Sequence, residues 1–168
     1  MAEQMIINAA ILTMSDKGSK GEREDLSGPA IQEIIEQKGY KVVEYKIIPD
    51  EFDVICRELK RLADENIADV VFTTGGTGFS QRDVTPEATR AVCYREVPGI
   101  PEAMRAYSLT ITKRAMLSRA YAGIRKNTLV INMPGSPKAV KESLEYIIDE
   151  LRHGIEILKG EASECARQ

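Results

Sequence analysis

Asp69-Val70-Val71-Phe72-Thr73-Thr74-Gly75-Gly76-Thr77-Gly78-Phe79-Ser80-Gln81-Arg82-Asp83-Val84-Thr85-Pro86 passes from a short apolar run into a glycine cluster, then through a polar set to a helix start. Asp69 to Thr74 reads as a strand. Thr85 followed by Pro86 is an ordinary helix opening, a threonine cap with proline at the first helical position. A strand leading through a glycine loop into a helix is the unit from which layered α/β domains are assembled.

The flanks repeat that alternation. Met5 to Thr13 reads as a first strand, followed by a polar loop from Ser15 to Asp25. Ser27 and Pro29 open a helix whose core face is Ile31, Ile34 and Ile35, and Gly39 closes it. Lys41 to Ile48 is a second strand, and Phe52, Ile55, Cys56, Leu59 and Leu62 recur at helical spacing after it. Beyond the glycine loop, Pro86–Val92 and Pro101–Leu117 read as helices, although Thr110, Ile111 and Thr112 place three β-branched residues in a row. Leu129–Asn132 reads as a buried strand. Val140, Leu144, Ile147, Ile148, Leu151, Ile155 and Leu158 mark a long final helix, and the last eight residues read as a frayed tail. The expected fold is a single α/β domain over residues 1–168, with a mostly parallel sheet.

Composition narrows the function. With 23 Lys plus Arg against 26 Asp plus Glu, the formal net charge is -3, which argues against a broad basic surface for nucleic acid. No run has the length and apolarity of a membrane helix, and Met1-Ala2-Glu3-Gln4 lacks the basic flank of a signal peptide. Cys56, Cys93 and Cys165 fit neither a disulfide framework nor a zinc pattern and read as small apolar fillers. A reducing cytoplasm is the expected setting.

Three strand ends run into helix-start signals: Ile48-Pro49-Asp50-Glu51, the segment Thr73 to Pro86, and Asn132-Met133-Pro134-Gly135-Ser136-Pro137. In an open α/β sheet such ends share one edge, so these segments are expected to converge on one pocket. Closely spaced glycines let successive main-chain N–H groups approach one anion, although such a cluster serves equally well as a plain turn. The loop lacks the Gly-Lys-Ser or Gly-Lys-Thr end of a P-loop, and Gln81 stands where a dinucleotide fingerprint needs its third glycine. Asp83 beside a phosphate would repel it without an intervening cation, which points to Mg²⁺; its other reading is a favourable charge near the next helix N-terminus. Asp50 is either a second magnesium ligand or the cap of the following helix. Ser136 is a cap and, with a ligand near, part of an anion site. Ser15 and Asp16 end the first strand as substrate contacts or as a turn. His153, the only histidine, belongs to the surface or the rim of the core and is no catalytic base. Without a Ser–His or Cys–His pair, phosphoryl or nucleotidyl transfer is the chemistry left.

The stretch Thr73 to Thr89 closely resembles the signature of the molybdopterin-binding proteins, in particular the molybdopterin adenylyltransferases and the matching domains of plant and animal cofactor-assembly proteins. The likeness extends through Ser15-Asp16, Ser27-Gly28-Pro29, Pro49-Asp50-Glu51, Pro98-Gly99, Ala115-Met116-Leu117-Ser118-Arg119, Gly123-Ile124-Arg125 and Asn132 to Pro137. The resemblance implies a three-layer α/β/α domain that forms a homotrimer. It also implies transfer of AMP from Mg-ATP to the molybdopterin phosphate with release of pyrophosphate, the product passing to a molybdate or tungstate insertase. Carried over residue by residue, Asp83 and Asp50 would hold Mg²⁺ and organise the transfer. Ser15, Asp16, Gly75, Gly76, Thr77, Gly78, Ser80, Gly135 and Ser136 would line the nucleotide and pterin sites. Lys17 stands where some relatives carry arginine and keeps the charge. The alternative is a non-catalytic molybdopterin-binding carrier or regulatory module of the same fold, against which the intact Asp83-Val84-Thr85-Pro86-Glu87 and Pro49-Asp50-Glu51 speak.

Overall fold

The first strand, β1 (Ile7–Met14), is apolar on both faces, and this sets the layering. Ile7, Ala9 and Ile11 enter one core, and Ala10, Leu12 and Met14 enter another across the sheet. A strand buried on both sides needs helices above and below it. The structure, a computed structural model, describes residues 3–160. The expected frayed tail, Cys165 and the first two residues lie outside the described residues.

After β1 come a one-turn helix α1 (Asp16–Ser19), α2 (Ser27–Gln37), β2 (Tyr40–Ile48), α3 (Phe52–Asp64), β3 (Val70–Thr74) and α4 (Thr85–Val92). There follow β4 (Arg95–Glu96), α5 (Gly99–Leu109), a 3-10 turn (Lys113–Leu117), β5 (Ala122–Arg125), β6 (Thr128–Met133) and α6 (Pro137–Leu158). The sheet order is β2-β1-β3-β6-β5-β4. β2, β1, β3 and β6 run parallel, while β5 and β4 are antiparallel to their neighbours. One face is covered by Ile31 and Ile35 of α2, Met104 of α5 and Leu144, Ile148 and Leu151 of α6. The other is covered by Ile55, Leu59 and Leu62 of α3 with Ala88 and Val92 of α4. Each fully buried Ile or Leu contributes about 1.5–3 kcal/mol, so both layers are held chiefly by these aliphatic stripes. The three-layer α/β/α fold with a mostly parallel sheet is as the sequence led one to expect.

Three local readings are corrected. The helix expected over Pro101–Leu117 stops at Leu109 and resumes only as the 3-10 turn. Thr110 Oγ1 bonds back to the Tyr107 carbonyl at 2.6 Å, and Thr112 accepts from the Arg114 N–H, so side-chain bonds replace helical ones where the β-branched residues cluster. The polar loop from Ser15 to Asp25 contains α1, held by Ser15 accepting from the Gly18 N–H at 2.9 Å. The short antiparallel β4 and β5 were not expected; β5 forms a hairpin with β6 across Lys126 and Asn127, and β4 pairs with β5 at the sheet edge. His153 is exposed, and Cys56 and Cys93 are buried free thiols, the Cys93 thiol being pushed up to about 12 by burial.

Beneath the ends of β3 and β6 lies a buried polar layer. Asn132, fully buried, donates to Thr73 Oγ1 at 3.0 Å and to Thr89 Oγ1 at 2.9 Å and accepts from the Tyr121 N–H at 3.1 Å. It thereby joins β3, α4 and the start of β5. An isosteric Asn132→Leu leaves the Tyr121 N–H without that acceptor, and a buried group so orphaned costs about 1–3 kcal/mol. Urea unfolding of this variant is expected to show a stability loss in that range with an unchanged denaturant slope.

Candidate active site

The parallel strands end in register: Met14 lies opposite Ile48, Thr13 opposite Thr74, and Thr74 opposite Met133. The segments after them, Ser15-Asp16, Pro49-Asp50, Gly75-Gly76 and Pro134-Gly135, therefore leave the sheet along one edge. From β1 the chain crosses to β2 on one side, and from β3 the order continues to β6 on the other. The divergence between β1 and β3 is the topological switch point where α/β sheets open a crevice. A cleft of about 610 Å³ lies there.

The glycine turn forms its floor. Gly75 has φ +94° and Gly76 φ +72°, a left-handed region that side chains disfavour. A Cβ on Gly75 would stand 2.5 Å from the Met14 carbonyl oxygen, so only glycine lets this turn press against the end of β1. Thr85 was expected to cap α4 and does not. Its hydroxyl donates to the Gly75 carbonyl at 3.0 Å and its N–H to the Gly76 carbonyl at 3.2 Å, stitching the turn to the helix. Thr74 Oγ1 reaches the Pro134 carbonyl at 2.6 Å and Ser27 Oγ the Gly135 carbonyl at 2.8 Å, which fixes the third segment against the same turn.

The acidic side chains gather around this floor. Asp16 and Asp50 are interlocked: the Asp16 N–H donates to Asp50 Oδ2 and the Asp50 N–H to Asp16 Oδ1, each at 3.0 Å. Asp50 therefore does not cap α3, whose first turn has no side-chain cap. Its Oδ1 lies 3.3 Å from where a Gly76 Cβ would be, and Asp83 Oδ2 lies 2.9 Å from the same point on Gly78. Asp83 Oδ2 also accepts from the Ser80 N–H at 3.0 Å. Burial first, then the charges of Asp16 and Asp83, raises the Asp50 carboxyl above the ordinary carboxylate range, against the main-chain bond from Asp16. Asp16 is shifted down, first by the bidentate hydrogen bonds from Arg82 at 2.9 and 3.0 Å.

Of the residues singled out from sequence, Ser15, Asp16, Asp50, Gly75, Gly76, Ser80, Asp83 and Gly135 line the cleft, as does Lys17. Thr77, Gly78 and Ser136 do not line it; Ser136 caps α6 by accepting from the Ala139 N–H at 3.2 Å, and Thr77 and Gly78 face the opposite side of the loop. Sequence reading missed Asp25. It accepts from the Ser27 and Gly28 N–H groups and from the hydroxyls of Thr13 and Tyr45, closing the cleft wall. Burial, then this bond, pushes the Tyr45 hydroxyl up, so it remains a donor. An aspartate just before a Ser-Gly-Pro helix start is a capping signal that would have pointed to it.

The cleft carries five acidic side chains, Asp16, Glu24, Asp25, Asp50 and Asp83, against three basic ones, Lys17, Arg23 and Arg82. Such a lining repels a bare polyphosphate and suits one accompanied by a divalent cation. Among the described residues no cluster of three or more His, Cys, Asp or Glu is tight enough to form a metal cage by itself. No helix among the described residues is long and apolar enough to cross a membrane.

Residues 10–153 match the family model described as a probable molybdopterin binding domain. The chain is 44% identical over 156 residues to the molybdopterin adenylyltransferase of Helicobacter pylori strain J99, covering 92% of this chain and 89% of that protein. It superposes on the molybdopterin biosynthesis enzyme MoaB of Thermus thermophilus with a TM-score of 0.87 and 44% identity, over 92% of this chain and 98% of that one. The tungsten cofactor synthesizing protein MoaB of Pyrococcus furiosus gives a TM-score of 0.83 at 39% identity, over 92% and 98% of the two chains.

A carboxylate whose folded pKa is raised destabilises the fold once ionised, and this penalty fades as pH falls through the raised value toward the ordinary 3.8. Asp50→Asn keeps an acceptor for the Asp16 N–H and removes the charge. Its midpoint of unfolding is expected to match or exceed the unsubstituted chain at neutral pH, with the advantage shrinking in acid. Thermal melts across that pH range check the sign.

Proposed function

The chain belongs to the molybdopterin-binding domain family, and on that premise we propose that it is a molybdopterin adenylyltransferase of molybdenum cofactor biosynthesis. A terminal phosphate oxygen of molybdopterin attacks the α-phosphorus of ATP, the bond from that phosphorus to the bridging oxygen breaks, and pyrophosphate leaves. The observation that carries this reading is the shared cleft in which Asp50 and Asp83 flank a glycine turn at the sheet's switch point.

Asp50 and Asp83 would hold Mg²⁺ brought with the nucleotide. When bound, that ion neutralises phosphate charge and acts as a Lewis acid toward the transferring group. The chain's own residues do the positioning. Thr85 draws the Gly75 and Gly76 carbonyls toward α4, which favours main-chain approach of the turn to an anion. Lys17, Arg23 and Arg82 offset phosphate charge at the cleft wall, and Asp25 with Tyr45 keeps that wall in place. Ser15, Asp16, Ser80 and Gly135 complete the nucleotide and pterin contacts in this reading, with Ser136 fixing the start of α6 beside Gly135 and Thr77 and Gly78 supporting the loop. Catalysis of this kind rests on positioning and charge stabilisation, with no side-chain nucleophile. The proposal includes a single catalytic unit over residues 1–168, a homotrimer, a cytoplasmic setting, and a molybdate or tungstate insertase that consumes the adenylylated pterin.

Purified chain supplied with molybdopterin, ATP and Mg²⁺ is expected to release pyrophosphate, and to stop when Mg²⁺ is withheld. Asp83→Asn and Asp50→Asn should each lower kcat by about 10²-fold or more while still binding pterin. Turnover by Asp83→Asn at the unsubstituted rate would remove the role given to that carboxylate. Pterin binding without pyrophosphate release by the unsubstituted chain would instead favour a carrier.

A further inference from the structure

We infer that Arg119 is a positioning residue for the adenylyl transfer, gripping from behind the loop that presents Asp83; the inference rests on the proposed function. Arg119 follows the 3-10 turn and meets the glycine loop only in the folded chain. Its Nε donates to the Gly78 carbonyl at 2.8 Å and its Nη2 to the Asp83 carbonyl at 2.7 Å. Its own main-chain N–H donates to the Thr77 carbonyl at 3.1 Å. One planar guanidinium thus spans both ends of the segment 78–83, a task that a single ammonium cannot reproduce. Within that segment the Asp83 N–H bonds the Ser80 carbonyl, and the Asp83 carboxylate accepts from the Ser80 N–H. Fixing the main chain at 78 and 83 therefore aims the carboxylate.

The grip is itself anchored. Glu87 of α4 pairs with Arg119 Nη1. Arg105 of α5 donates to the Ala120 carbonyl at 3.0 Å and the Ser118 carbonyl at 3.5 Å, holding the residues on either side of Arg119. Arg119 opens onto a second cavity of about 410 Å³ that shares no lining residue with the catalytic cleft. It acts through Asp83 from the opposite side of the loop, out of reach of a substrate in the cleft. Because Arg119 lines that cavity, the space its side chain leaves in Arg119→Ala is open to a free guanidinium ion.

The test compares kcat, KM for ATP and thermal melts for the unsubstituted chain, Arg119→Ala, Arg119→Lys and Arg125→Gln. Arg125 pairs with Asp64 and bonds the Val92 carbonyl away from both cavities, so its loss reports a purely structural arginine. Because a misplacement of about 1 Å costs on the order of 10²-fold in rate, Arg119→Ala is expected to lose about that factor in kcat with KM for ATP nearly unchanged. Added guanidinium ion at millimolar concentration should restore part of the lost rate to Arg119→Ala and none to Arg125→Gln. Arg119→Lys should melt normally and remain impaired in kcat. The inference is overturned if Arg119→Ala keeps the unsubstituted kcat, if its defect lies only in the melt, or if guanidinium gives no recovery. Should Arg119→Ala fail to fold, Arg119→Lys decides: full kcat overturns the inference, reduced kcat with a normal melt supports it. An unsubstituted chain without turnover removes the proposed function and this inference together, whereas turnover that is insensitive to position 119 removes the inference alone.

Discussion

Gly75 sits against the carbonyl of Met14 with no room for a β-carbon, and the rest of the site follows from that contact. The approach brings the end of β3 onto the end of β1 where the two strands' connections diverge. Asp50 and Asp83 then come from different loops to the same few ångströms of main chain around Gly76 and Gly78. A left-handed φ at both Gly75 and Gly76 accompanies the approach, and a side chain at either position would add strain of roughly 1–2 kcal/mol before any clash.

That geometry creates an electrostatic problem that the fold answers only in part. Asp16 is matched by the Arg82 fork, and Asp25 by four donors. Asp50 is half-buried among like charges and keeps one main-chain donor from Asp16. A desolvated carboxylate left so short of compensation lowers the stability of the empty cleft and raises its affinity for a cation, the usual trade between stability and function. The Arg82–Asp16 pair is solvent-exposed, so it contributes little to folding; its consequence is the orientation of the two side chains across the cleft mouth.

Below the charged rim, hydroxyls and one amide carry the load that apolar packing cannot. Thr74, Thr85, Thr89 and Asn132 are buried almost completely and are joined through side-chain and main-chain bonds from β3 to α4 and β6. Directional bonds hold a turn in one register, whereas an aliphatic layer would let it slide. The threonines that read in sequence as strand and cap residues are thus the frame of the glycine turn.

Strands β1, β2, β3 and β6 and helices α2, α3, α4 and α6 were legible in the sequence because period and composition are local properties, and both apolar faces of the sheet had to be covered. The glycine turn and the family signature were legible because a left-handed backbone with no room for a β-carbon requires glycine. The pairing of Asp16 with Arg82 across 66 residues, the exchange of main-chain bonds between Asp16 and Asp50, the hub at Asp25 and the reach of Arg119 to Asp83 were decided only in the tertiary structure. Strand β4, which pairs with β5 from the far side of α5, belongs with them, whereas β5 in its hairpin with β6 and the end of α5 at Leu109 are set by near neighbours in the chain. Each is a choice between partners that a polar or β-branched side chain can make locally or at a distance, and chain neighbours alone do not say which partner the packed core will bring within about 3 Å.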